Sequence, residues 1–215
     1  MIRCVRRFVR FIAIPLFAVP LWATSALAQR FSLSPEIGFY IPTEKLIDAA
    51  GGEVGEIEAG PSFGLRLGLA LGDRIAISVG GAYVPTTFAF SPDGGDPEQR
   101  DARLFNGVGQ VILYLIPPSS PLALFVNGGV GVISRGGVAF TDQAETSDVS
   151  AVFGGGATLR LAGISLTAGA DVFSYTAQYT GTSAVASEHK QLDVQLRLGL
   201  GLFGGSVTGS RSVTR

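Results

Sequence analysis

The chain has 215 residues, a formal net charge of −1, 15% charged and 47% hydrophobic residues, and a mean hydropathy of +0.39. Soluble domains carry about 25% charged residues and about 7% glycine, whereas 30 of these residues are glycine, so the chain lacks water-facing charge. After residue 30 no apolar run approaches the ~18 residues of a spanning helix, and the composition excludes a disordered chain, a basic nucleic-acid binder and a multi-helix membrane protein.

The first segment reads as a targeting signal. Residues 1–10 hold four arginines and no acid, an apolar run follows from Phe11 to Trp22, and Ala26-Leu-Ala28-Gln29 supplies an A-x-A site. That order predicts a secretory signal peptide over residues 1–28, cleaved between Ala28 and Gln29. Its removal takes four of 16 basic residues and none of 17 acidic ones, leaving 187 residues with a net charge of −5. Cys4, Trp22 and Met1, each the sole residue of its type, leave with it. The remainder has no thiol for a disulfide, a nucleophile or a metal site.

From residue 29 to 203 the pattern is that of strands. Every even position from Leu192 to Leu202 is Leu or Val, while positions 191 to 201 between them are Gln, Asp, Gln, Arg, Gly and Gly. Only a strand turns period-2 alternation into two faces. Ser62–Leu71 and Ile164–Val172 repeat it. Segments at about 31–41, 61–71, 75–90, 100–116, 122–140, 148–161, 164–179 and 191–203 give eight strands, each long enough to cross a bilayer at a tilt. Short turns alternate with longer polar loops at 42–60, 91–99, 141–147 and 180–190. This predicts an all-β fold: an eight-stranded antiparallel up-and-down transmembrane β-barrel with both termini at the short-turn, periplasmic end. Residues 204–215 form a short Gly/Ser/Thr tail.

Strand polarity distinguishes this barrel from a soluble ligand carrier. The large face is Leu, Val, Ile and Phe, and the charge-bearing face is mostly Gly, Ser, Ala and Thr. An eight-stranded lumen is only wide enough for side chains, so the small polar face belongs inside and the large face against lipid. Phe31, Phe63, Tyr83, Phe105 and Phe203 are the candidates for an aromatic girdle. Pro35 and Pro85 each lack a ladder donor and predict a bulge or strand end.

Counting faces puts Glu36, Arg66, Asp171 and Arg197 inward on strands that closure makes consecutive, with Arg160 lower and Asp193 higher on the same wall. Buried charges are paired, so these six predict a lumenal ion-pair network that plugs the barrel. The alternative use is a gate whose partners switch to open a narrow pathway. The first loop, residues 44–58, holds five acids and one lysine without the spacing of a calcium loop, and reads as solvated surface. Gly154-Gly-Gly156 and Gly128-Gly129 precede no Gly-Lys-Ser/Thr, so they are lumen space rather than phosphate loops.

Three stretches resemble the OmpA-like and opacity-type family of small outer-membrane β-barrels. Pro121-Leu-Ala-Leu-Phe-Val-Asn-Gly-Gly-Val-Gly-Val132 resembles that family's P-Y-V-G-A-G-x-G stretch, with Phe125 in the aromatic slot. Val152-Phe-Gly-Gly-Gly-Ala-Thr-Leu-Arg-Leu161 is similar to the next strand, and the run into Phe203 to the closing one. Family members usually end at the aromatic, whereas here the tail follows. The resemblance implies residence in the outer membrane of a Gram-negative-type bacterium after export through the general secretory pathway. The implied partners are outer-membrane lipid, lipopolysaccharide and the barrel-assembly machinery, plus an extracellular ligand on the four loops and no nucleic acid.

The implied role is structural or interactive, with a narrow OmpW-like, porin-like channel as the alternative and a lipid-modifying enzyme third. Deacylating relatives use a His-x-Ser order on a strand. Ser187-Glu188-His189-Lys190 reverses it on a predicted loop, so no catalytic residue, cofactor or metal ligand is expected.

Overall fold

A computed structural model describes residues 31–43, 47–48, 54–91, 98–140, 147–161, 164–180 and 186–201, with backbone pairing alone for 47–48, 54, 178–180 and 186–189. The signal segment with Ala26, Ala28 and Gln29, the girdle candidate Phe203 and the tail lie outside the described residues.

Alternating sequence becomes alternating wall. The long strands are β1 (Phe31–Pro42), β4 (Gly60–Ala70), β5 (Ile75–Ser91), β6 (Glu98–Ile116), β7 (Leu122–Gly137), β8 (Ser147–Leu161), β9 (Ile164–Thr180) and β10 (Ala186–Gly201). Each pairs antiparallel with the next, and β10 returns to β1 with Glu36 opposite Gly199 and Ile41 opposite Val194. The sheet is thus a closed eight-stranded antiparallel barrel, and closure leaves no unpaired edge among the long strands.

Polarity is inverted relative to a water-soluble barrel. Ile37, Val79 and Val130 are more than 60% exposed on the outer wall, as are, to a lesser degree, Leu65, Val111, Phe153 and Leu198. Ser62, Ser78, Asn106, Gln110, Asn127, Asp171, Gln195 and Arg197 are buried inside. On β6 the outward apolar positions run for eleven residues, from Phe105 to Leu115, matching the about 9–11 residues that a tilted strand needs to cross a bilayer. Phe63, Tyr83 and Phe105 are register partners across β4, β5 and β6 and form an outward aromatic row where the aliphatic positions stop. Beyond it on β6 the outward residues are Arg103, Asp101 and Gln99.

Three boundaries differ from the sequence expectation. The first loop is partly sheet: β2 (Ile47–Asp48) pairs with β3 (Val54–Ile57), and β3 extends β5 by pairing Ile57 with Phe88. Strand β7 stops at Gly137 rather than 140, because Gly137 adopts φ 103°, a conformation that favours glycine. The chain then turns through Val138–Phe140 and delivers Phe140 into the lumen, 5.6 Å from Phe88. Strand β10 begins at Ala186, so His189 lies on a strand opposite Ala177 rather than in a loop; the side chains of Ser187, Glu188 and His189 lie outside the described residues.

The two prolines bend nothing out of register. Pro35 pairs with Leu65 on β4, while the β1–β10 ladder starts only at Glu36; Pro85 pairs with Arg103 on β6 just past the end of the β4–β5 ladder at Tyr83. Each missing donor falls where one ladder is absent, and both strands run on past their proline, so neither the bulge nor the strand end expected there is found.

Candidate functional site: a charged layer inside the barrel

Six strands contribute inward side chains at one level. Arg66 on β4 donates from Nε to Glu36 Oε1 at 3.0 Å and from Nη2 to Asp171 Oδ2 at 3.0 Å. Arg197 on β10 donates from Nη1 to the same Glu36 oxygen at 3.2 Å and from Nε to the same Asp171 oxygen at 3.0 Å. Two guanidinium groups and two carboxylates thus alternate in a closed four-membered ring across β1, β4, β9 and β10.

Amides complete the layer. Gln110 on β6 and Asn127 on β7 donate to Asp171 Oδ1 at 3.2 and 2.8 Å, and Arg66 Nη1 donates to Gln110. Asp171 therefore accepts from four side chains and is 0% exposed. Arg197 also lies over the Phe125 ring at 5.7 Å. Ionic charge inside a narrow lumen is tolerated only when compensated and hydrogen-bonded, and this ring has equal numbers of each sign.

Glycine makes the room. Register places a glycine beside each ring member: Gly199 opposite Glu36, Gly169 opposite Arg197, Gly154 opposite Asp171 and Gly80 opposite Arg66. A Cβ at Gly169 would stand 3.1 Å from Arg197 Cζ, and one at Gly154 would stand 2.8 Å from Asp171 Oδ1. Long charged side chains can lie across the lumen because their neighbours have no side chain.

Toward the long-loop end the lumen changes character. Asn106 donates to Gln195 at 3.1 Å, and Gln195 donates to Ser62 at 3.4 Å. Above that, Tyr40 and Tyr175 each donate a hydroxyl proton to Asp193 Oδ2 at 2.5 Å. Arg135 pairs with Asp148 at 2.6 Å, with its guanidinium 5.3 Å from the centroid of the Tyr175 ring. Val84, Phe88, Leu104, Ile133, Phe140 and Phe173 pack into an apolar cluster around these groups.

The sequence matches no protein-family model and no curated protein. Solved structures do match. The outer membrane protein OprG from Pseudomonas aeruginosa is 11% identical with a TM-score of 0.58, over 80% of this chain and 93% of that one. Neisserial surface protein A (NspA) is 13% identical with a TM-score of 0.53, over 80% of this chain and 96% of that one. The shared feature is the fold, a small closed β-barrel.

Two of the six residues assigned to the network stand apart from it. Asp193 does not join the ring: it is bound by tyrosine hydroxyls in the higher layer. Arg160 is exposed at the short-turn mouth and makes no ion pair within 4 Å among the described residues. Face counting put Arg160 lower and Asp193 higher on this wall, and they stand there, but at those heights neither reaches the ring, which closes on four charges. Conversely, Asn127, Tyr40, Tyr175 and the Arg135–Asp148 pair belong to the lumen without having been singled out. Their signal was parity, obscured at Asn127 by the following glycines and at Arg135 by the misplaced end of β7.

Proposed function

We propose that the protein is an integral outer-membrane barrel of a Gram-negative-type bacterium, OmpA-like or opacity-type in character, with a structural or surface-interaction role. The observation that carries this reading is the inverted wall: an aliphatic outer band, edged by the Phe63–Tyr83–Phe105 row, around a polar, charge-compensated lumen. Phe31 is exposed at the opposite end of the band. Such a surface is stable only where hydrocarbon replaces water. The signal-like first 28 residues support export, and the likeness in fold to OprG and NspA supports the same compartment.

In this reading the ring and the apolar cluster close the lumen, and the loop end faces outward to meet lipopolysaccharide or an extracellular ligand. A continuous pathway would have to pass both layers, so a plug is favoured over a narrow channel. No group in the ring is arranged as a nucleophile with an oriented base, so the ring is read as structural rather than catalytic.

The folded protein in detergent is expected to give an antiparallel-β circular dichroism spectrum and a heat-modifiable shift on a denaturing gel. In planar bilayers it should show no unit conductance. A helical spectrum or full solubility without detergent overturns the barrel reading; a steady conductance overturns the plug and favours the channel. Charge reversal within 42–60 or 180–190 is expected to change adhesion to host or lipopolysaccharide surfaces, and unchanged adhesion overturns the interaction role.

A further inference from the structure

At the short-turn end the lumen is not filled. Below the ring lies a cavity of about 160 Å³, roofed by Glu36, Arg66 and Arg197 and open at its mouth beside Arg160. Its wall is two-sided. Ser32, Ser34, Thr158, Ser165 and Thr167 present hydroxyls, while Tyr114, Phe125, Ile112 and Ala76 present an apolar surface, with the Tyr114 and Phe125 rings edge to face at 6.0 Å.

Two observations point to a ligand. The first is charge: the ring's two arginines are matched by Glu36 and Asp171, so Arg160 leaves one positive charge in excess. The second is polarity: the hydroxyls of Ser32 and Ser34 on β1 and Ser165 on β9 stand across the cavity from Ile112 and Tyr114 on β6 and Phe125 on β7, so one side suits oxygen and the other carbon.

We propose that this vestibule binds a short-chain organic monocarboxylate. Its carboxylate meets the Arg160 guanidinium and the hydroxyls, and its few carbons lie against Phe125, Tyr114 and Ile112. A single excess charge beside an apolar wall suits a monoanion with an alkyl chain better than inorganic phosphate, which carries more charge and no apolar part. The cavity holds a molecule of a few carbons, and the ring above it makes the site a dead end. The inference rests on the barrel fold and its lumen, not on the membrane or surface role proposed above.

The test uses the full chain folded in a neutral maltoside detergent, with heat-modifiable migration as the check on folding in every sample. Butyrate is the probe, followed by saturation-transfer NMR, with inorganic phosphate and butylamine as controls. Saturable transfer to butyrate is expected, unaffected by equimolar phosphate and absent with butylamine. Arg160→Gln, outside the ring and exposed, is expected to fold normally and weaken binding about tenfold, the scale of one charge-assisted hydrogen bond. No saturable signal from folded protein, full affinity in Arg160→Gln, or displacement by phosphate at equal concentration overturns the proposal.

Discussion

Asp171 and Glu36 carry the same charge in the same ring, yet their environments differ. Asp171 accepts from two arginines and two amides and is wholly buried, whereas Glu36 is bonded by the two arginines through one oxygen. Removing one partner of a buried pair costs about 3–5 kcal/mol because it strands the other charge. Asp171→Asn is therefore expected near the top of that range and Glu36→Gln below it, measured by urea unfolding from lipid vesicles. The double variant Glu36→Gln/Arg197→Met restores neutrality and should be less destabilised than the sum of its parts. The glycines divide in the same way. Gly169→Ala brings a methyl group to 3.1 Å from Arg197 Cζ and is expected to cost about 1–3 kcal/mol. Gly107→Ala meets nothing within 4 Å and should be neutral or stabilising by up to about 1 kcal/mol. The four ring members were legible in the sequence, because a charged residue among small ones on an otherwise apolar strand stands out. Which inward charges come within hydrogen-bond reach of one another was not legible, since parity is a property of one strand and that reach depends on the stagger of all eight.

At the scale of elements, the turn after β7 packs into the long-loop half of the lumen as a cork would. Gly137 redirects the chain, Val138–Phe140 follows as a single 3-10 turn, and Phe140 packs on Phe88 among buried apolar side chains. Phe140→Ala is expected to cost about 3–5 kcal/mol, as for other buried phenylalanines, seen as a lower melting temperature in detergent. The same variant should remain non-conducting in planar bilayers, because the ring still spans the lumen below; a conductance here would show that the cork, not the ring, is the seal. This element escaped the sequence reading for a local reason. Val138, Ala139 and Phe140 resume the apolar pattern of β7 after Ser134–Gly137, and only the positive φ at Gly137, invisible to periodicity, ends the strand. The β2–β3 hairpin escaped because Glu53, Glu56 and Glu58 make its residues read as solvated loop, although main-chain pairing with β5 does not depend on side-chain polarity.

At the scale of the whole molecule, the outer wall sets where the barrel sits. Leu198 lies mid-band on β10, 50% exposed, while Val149 lies near the loop end of β8, 75% exposed. Leu198→Arg is expected to cost about 2–4 kcal/mol in lipid and Val149→Arg about 0–1 kcal/mol, measured by reversible folding into short-chain lipid vesicles. Equal penalties would place the band elsewhere. The closed eight-stranded architecture itself was readable from leucine alternation and loop spacing, since inside and outside of a barrel wall are the two faces of one period-2 pattern.

The ring also joins residues that the ribosome makes at opposite ends of the chain. Glu36 and Arg66 belong to the first strands and Asp171 and Arg197 to the last two, with Glu36 and Arg197 161 positions apart. Electroneutrality in the ring is therefore a late event in assembly. An intermediate that has docked β1 through β9 encloses Glu36 and Asp171 with Arg66 alone, one positive charge short. Seating β10 supplies Arg197 and cancels that imbalance in the same step that zips the final seam. The ring thus favours the sealed barrel over its open precursor and works as a latch on completion.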